Sequence, residues 1–403
     1  MRVTLEDVEQ ARKVLSALLP PTPLLMNPWL SNLYGCEVYL KLEIMQPIGS
    51  FKIRGATYKI SKLSSAERAR GVIAASAGNH AQGVAWGSQR LGVSPIIVMP
   101  KNAALMKVHN TRALGAEVRL EGNGYDEAYQ VAQQIQAQSG RSFVHPYEDP
   151  DVIAGQGTVG LELLEQCPDV DVVIGSIGGG GLMAGVGTVL RALKPSVEVI
   201  GSQAAGAHSM IDSLRKGSAQ TSLSVNTFAD GIAVKRASPA MLGILKDCID
   251  FPAEAGDPEI AGAVLTLMEK AKIVVEGSGA LPLAILDQQK ERLRQKKVVL
   301  LISGGNIDVN VLARIIDVGL IRSGRRIRIH LVVRDRPGSL KRMTEIISNQ
   351  GANILQAIHD RNEPSTRLDE VDVNLVLETR DPEHGVDVVE ALRKEFIGVN
   401  VLT

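Results

Sequence analysis

The sequence predicts an α/β protein with mostly parallel sheets covered on both faces, followed by a small βαββαβ tail. Three observations carry this. Short unbroken apolar runs, such as residues 72–75, 95–99 and 298–303, alternate with helix-patterned segments of 10 to 15 residues. Several clusters of the 39 glycines follow such runs, where parallel sheets place their ligand loops. After about residue 322 the text changes to alternating strands with one aromatic, Phe396.

Taken in order, strands are predicted at 72–75, 95–99, 116–120 and 142–144, with helices at 79–91, 103–114 and 126–138. The alternation resumes with strands at 170–174, 197–201 and 298–303, and helices at 182–193 and 276–289. Arg322-Ser323-Gly324-Arg325-Arg326 reads as a polar linker. Beyond it come a strand at 327–333, a turn at Arg336-Pro337-Gly338 and a helix from Ser339 to about 350. Strands at 352–358 and 371–377, a helix at 386–394 and a strand at 398–402 complete a ferredoxin-like order.

Composition excludes several classes of function. The 403 residues carry 44 basic and 44 acidic side chains, and no Lys/Arg-rich run marks a nucleic-acid surface. An apolar fraction of 45% fits a packed globular chain. Cys36, Cys167 and Cys248 are odd in number and far apart, which predicts a reducing, cytoplasmic setting with neither disulfides nor structural zinc. Glu6 and Asp7 stand where a signal peptide needs an apolar run. Residues 172–190 lack charge but include seven glycines, so they read as strand, loop and helix, not as a membrane span.

Four loops carry chemistry. In Gly49-Ser50-Phe51-Lys52-Ile53-Arg54-Gly55, a desolvated lysine would become a nucleophile toward aldehydes; an ordinary surface lysine is the bland alternative. Ser76-Ala77-Gly78-Asn79-His80 follows a strand and offers N–H groups and a hydroxyl at a helix start, a carboxylate site, or else a plain turn and cap. Gly178-Gly179-Gly180-Gly181-Leu182 reads as an anion nest, its N–H groups unobstructed by any Cβ. It is neither GxGxxG with a ribose-binding acid nor a GK[ST] loop. Ser303-Gly304-Gly305-Asn306 closes the series, by itself a strand-to-helix turn capped by Asn306.

Together, and with Ala229-Asp230-Gly231-Ile232-Ala233-Val234 and Val275-Glu276-Gly277-Ser278-Gly279-Ala280, these loops resemble the fold-type II pyridoxal-phosphate enzymes, and among them the threonine dehydratases (threonine ammonia-lyases). The tail, with Asp335-Arg336-Pro337-Gly338-Ser339-Leu340, resembles an ACT regulatory domain, as in the short, single-ACT form. The resemblance implies a catalytic region at 1–322, with a small lobe at about 48–148 and a large lobe from 1–47 and 149–322, and an ACT domain at 323–403. It implies that Lys52 carries pyridoxal 5'-phosphate as a Schiff base and removes the substrate α-proton. Phe51 would stack on the pyridine ring, Asn79 would bond its 3-hydroxyl, Gly178 to Leu182 would hold the phosphate, and Ser303 would face the ring nitrogen. Ser76, Ala77, Gly78, Asn79 and His80 would bind the substrate, L-threonine, with L-serine poorer. Isoleucine or valine would act at Gly338, Gly351 and Asn353, in a homodimer or homotetramer.

Two departures bear on the reaction. Serine racemases have a second serine where this chain has Ala77, which favours elimination without racemisation. Their divalent-metal site has acids where this chain aligns Gln203 and Ser209, so no metal is expected. A serine racemase, serine dehydratase or hydroxyaspartate lyase of the same fold stays open as an alternative, as does a non-catalytic amino-acid sensor.

Overall fold

The computed structural model describes residues 2–362 and 367–402. It forms two compact units, Met1–Asp308 and Val309–Thr403. In the first lie β1 (Leu24–Met26), β2 (Glu37–Leu42), β3 (Val72–Ala75), β4 (Pro95–Met99), β5 (Glu117–Leu120), β6 (Ser142–Phe143), β7 (Val172–Ser176), β8 (Glu198–Ala204), β9 (Phe251–Ala255) and β10 (Lys297–Ile302). One sheet has the order β1-β2-β10-β7-β8-β9, parallel except for β1 on β2. A second, β5-β4-β3-β6, is parallel throughout. β3, β4 and β7 are buried at every position, which is why they read as unbroken apolar runs.

The chain returns from the second sheet to the first through the helix Pro150–Gln166, absent from the sequence prediction. Residues 152–163 of it are buried without a break, so no polar stripe marks the 3.6-residue period. Its glycines permit close helix contact. A Cβ on Gly155 would lie 2.6 Å from Gly55 Cα in the helix Lys52–Ser61, and one on Gly185 would lie 2.6 Å from Gly157 N.

The same helices share a buried ionic cluster. Arg54 Nε and Nη2 donate to the two Glu43 oxygens at 2.8 Å each, and Nη1 and Nη2 donate to Glu162 at 2.6 and 2.9 Å. Lys41 Nζ donates to Glu162 and to the Thr22 carbonyl, both at 2.7 Å. Two cations face two anions, none more than 7% exposed. Burial pushes the Lys41 pKa down against the pull of Glu162. Burial also works against the Glu162 charge, yet the Arg54 contacts hold its carboxyl below the usual range.

The second unit contains β11 (Arg326–Arg334), β12 (Asn353–Asp360), β13 (Glu370–Glu378) and β14 (Asn400–Leu402), with the helices Ser339–Asn349 and Pro382–Arg393. The antiparallel order β12-β13-β11-β14 is the ferredoxin-like βαββαβ arrangement. Its apolar core includes Leu331, Met343, Ile347, Val373 and Val388. The helix Val309–Arg322 falls in this unit, so the division comes before the polar run taken as a linker. That run is a closed helix-to-strand turn. Arg325 N donates to Leu320 O at 2.9 Å, Thr379 Oγ1 donates to Gly324 O at 2.6 Å, and Arg326 pairs with Asp317. Charged side chains there solvate a turn, which sequence cannot tell from a tether.

Replacing Arg54 leaves two carboxylates buried with one lysine. Arg54→Met should lower the unfolding free energy by about 3–5 kcal/mol, read from denaturant midpoints. Arg12→Ala, which breaks an exposed pair with Glu165, should cost under about 1 kcal/mol.

Candidate active site

Lys52 opens the helix Lys52–Ser61 with Phe51 as its N-cap, and that start is fixed by the end of β10. Phe51 N donates to Ser303 O at 3.1 Å, and Gly305 N donates to Gly49 O at 2.9 Å. The Lys52 amine donates to Pro146 O at 2.8 Å and lies 5.2 Å from the Phe51 ring centroid. Burial pushes its pKa down to about 8, against a weaker opposite pull from Glu276. His80 and His145 are kept neutral by burial and by the Lys52 charge, with pKa values of about 3 and about 4.

The tetraglycine loop joins β7 to the helix Gly181–Leu193. Gly180 has φ +100°, and a Cβ on Gly179 would sit 2.1 Å from the Tyr147 ring. Tyr147 follows Pro146, so the partner of the lysine and the wall of the glycine loop are neighbours in sequence. Among the described residues, the N–H groups of Gly178, Gly179 and Gly180 have no protein acceptor. Gly181 and Leu182 supply two more N–H groups in the first helical turn. Unpaired donors at a helix N-terminus form a cradle for an oxyanion.

The Ser76–His80 loop follows β3. Ser76 Oγ accepts from Gly78 N at 3.2 Å, and Ala77 and Gly78 are half-exposed. Gly78 is the N-cap, and Asn79 is the first helical residue. The His80 imidazole turns inward, with Nε2 2.8 Å from Val144 O, so its ring is committed to the interior. Asn79 Nδ2 donates to Glu276 at 2.9 and 3.1 Å, while its Oδ1 accepts from Asn306 Nδ2 at 2.7 Å. Asn306 therefore does not cap a helix: the next one starts only at Val309. Glu276 is buried, which raises its pKa, and Ser278 Oγ also donates to it. Ser303 is 3% exposed at the end of β10.

Lys52, Phe51, Asn79 and Ser303 are thus joined through backbone and side-chain bonds, and Lys52 meets the glycine loop across Pro146 and Tyr147. Sequence reasoning gave no role to Tyr147 or Glu276 and read Asn306 only as a helix cap. Tyr147 had a signal, as one of six tyrosines in the chain and directly after His145-Pro146. Gln203 Oε1 accepts from Met210 N and Ile211 N at 2.8 and 2.9 Å, and Ser209 Oγ donates to Val234 O at 2.9 Å. Among the described residues no group of His, Cys, Asp or Glu could hold a metal, and no helix is long and apolar enough to cross a membrane. In the second unit Asn353 lines a cavity of about 480 Å³ with Lys341, Thr344, Glu345, Ser348, Ala352 and Ile354; Gly338 and Gly351 do not line it.

A lysine amine about half neutral at pH 8, linked through Pro146 and Tyr147 to a backbone oxyanion cradle in a two-sheet α/β unit, can hold an anionic carbonyl compound. The chain belongs to the pyridoxal-phosphate dependent enzyme family, which matches residues 15–304, and its cofactor is pyridoxal phosphate. It is similar to L-threonine ammonia-lyase of Thermotoga maritima, 47% identical over 97% of both chains. L-threonine ammonia-lyase of Geobacter sulfurreducens is 41% identical over 98% of both chains. The processed form of threonine deaminase isoform 2 from Solanum lycopersicum superimposes with a TM-score of 0.74 at 35% identity, over 78% of this chain and 95% of that one. The residues present fit the cofactor. The glycine N–H donors lack protein acceptors, a Cβ at Gly179 would fill the loop's contact with Tyr147, and Lys52 supplies an amine for the aldehyde.

The depressed Lys52 pKa predicts the pH course of its reactivity. In cofactor-free protein, acylation of Lys52 followed by peptide mapping should reach half its limiting rate near pH 8. Exposed lysines should keep accelerating toward pH ~10.4. A Lys52 profile matching theirs would contradict the desolvation.

Proposed function

We propose that this enzyme converts L-threonine to 2-oxobutanoate and ammonia, and L-serine more slowly to pyruvate and ammonia. The observation that carries the reading is the likeness to two L-threonine ammonia-lyases along nearly the whole chain. The bound cofactor supplies an electron sink for bonds to the amino acid's α-carbon. When it is bound, Lys52 would hold it covalently, Gly178 to Leu182 would hold its phosphate through N–H groups, Phe51 would pack on its ring, and Asn79 and Ser303 would bond its polar edge. Once the substrate amine has taken its place on the cofactor, the freed Lys52 Nζ, whose pKa burial lowers to about 8, would be able to take the α-proton as a neutral amine. Ser76 and the helix start at Asn79 bind the substrate carboxylate, with Ala77, Gly78 and the His80 backbone completing the loop. A hydroxyl at Ser303 does not keep a proton on the ring nitrogen as a carboxylate does, which favours prompt loss of the β-hydroxyl over transamination. Ala77 has no hydroxyl to protonate the opposite face, which favours elimination over racemisation. One methyl separates threonine from serine, worth about 1–3 kcal/mol, so discrimination is partial.

The ferredoxin-like unit is read as an ACT domain that binds isoleucine or valine in the cavity beside Asn353, with Gly338 and Gly351 shaping its turns. The active form is a homodimer or homotetramer in the cytoplasm, serving isoleucine synthesis or threonine breakdown.

Purified protein should absorb in the visible, and borohydride should fix the cofactor to Lys52. Lys52→Ala should lower threonine turnover by more than about a thousandfold. Rapid D-serine formation from L-serine would overturn the elimination reading in favour of a racemase. Isoleucine or valine should change the rate, and Asn353→Ala should raise the concentration needed about tenfold. An unchanged response would remove the effector from that cavity.

A further inference from the structure

Asn306 has no part in the roles above, yet it stands where three loops meet. Its Nδ2 donates to Ile48 O at 2.8 Å and to Asn79 Oδ1 at 2.7 Å. A backbone carbonyl can only accept, so Ile48 settles which end of the Asn306 amide faces this side. That settles the next amide as well. Asn79 must present oxygen to Asn306 and therefore NH2 to Glu276. Turned over, Asn79 would set NH2 against NH2 and an amide oxygen against a carboxylate. The glycines on either side let the three groups approach closely. A Cβ on Gly49 would lie 2.9 Å from Asn306 Oδ1, and one on Gly304 would lie 2.4 Å from Glu276 Oε1 and 3.1 Å from Asn79 Nδ2.

We propose that Asn306 is a positioning residue: by fixing the Asn79 amide, it makes Asn79 a hydrogen-bond donor to the cofactor. An NH2 group has two N–H bonds, and one can serve the Glu276 carboxylate. The other is then held for an oxygen acceptor on the bound pyridoxal phosphate. This rests on the reading of Asn79 as a cofactor contact. It adds that the direction of that contact originates at the Ile48 carbonyl and passes through Asn306.

Asn306→Asp tests it on the full chain, because it keeps the shape and turns the donor into an acceptor facing Ile48 O and Asn79 Oδ1. Pyridoxal phosphate affinity, measured by fluorescence quenching, should fall about tenfold. The visible band of the loaded protein should also change its position or pH dependence, and kcat should fall more than KM rises. In a cycle with Asn79→Ala, the same substitution should cost less than threefold, because its effect passes through Asn79. An unchanged affinity and band in Asn306→Asp, or a full tenfold loss on the Asn79→Ala background, would overturn the proposal. If Asn306→Asp does not fold, Asn306→Ala in the same cycle decides by the same criteria. A wild type that binds no cofactor would sink the parent reading. A wild type that binds it and turns over threonine, with Asn306→Asp indistinguishable, would sink this proposal alone.

Discussion

Arg54 holds the start of its helix where Lys52 needs it. It sits two residues after Lys52, 2% exposed, with its guanidinium locked between Glu43 and Glu162. Neither carboxylate can be released into a dry interior without a large desolvation cost, so the helix has little freedom to slide or rotate. Glu43 belongs to the turn after β2 and Glu162 to the helix Pro150–Gln166. One side chain therefore ties the lysine helix to the sheet and to the segment that returns from the smaller sheet. Beside it, the bonds Phe51 N to Ser303 O and Lys52 Nζ to Pro146 O tie the helix start to the end of β10 and to the segment before Pro150.

The site itself works with few full charges. Lys52 is desolvated, His80 and His145 are neutral, and burial raises the Glu276 pKa. What remains is a field of oriented dipoles: the glycine N–H groups, the helix start at Gly181 and the amides of Asn79 and Asn306. A phosphate bound in this way needs no cluster of lysines. A chain with net charge +0 can thus hold a doubly charged ligand.

Much of this was legible in the residue order. The tetraglycine run, the lysine after Phe51 and the Ser-Gly-Gly-Asn string are local signals, because backbone cradles and nucleophiles need particular residues at consecutive positions. The helix Pro150–Gln166 was not legible, since a helix buried on every side has no stripe to detect. The Lys41, Glu43, Arg54 and Glu162 cluster was equally hidden. Its members lie up to 121 positions apart, and each alone looks like an ordinary surface charge. Asn306 was read as a cap because Asn after glycines usually is one; its partners, Ile48 and Asn79, come from distant loops.

By itself, then, the sequence determined the alternation of strands and helices, the ferredoxin-like tail and the residues proposed to hold a phosphate and an aldehyde. These depend on local conformation and on chemistry carried by single side chains. Only the tertiary structure decided that the lysine is desolvated, that the Asn79 amide has one direction, and that the chain divides before Val309 rather than after Arg322. Those outcomes depend on groups far apart in sequence, whose burial and mutual orientation exist only once the chain has packed.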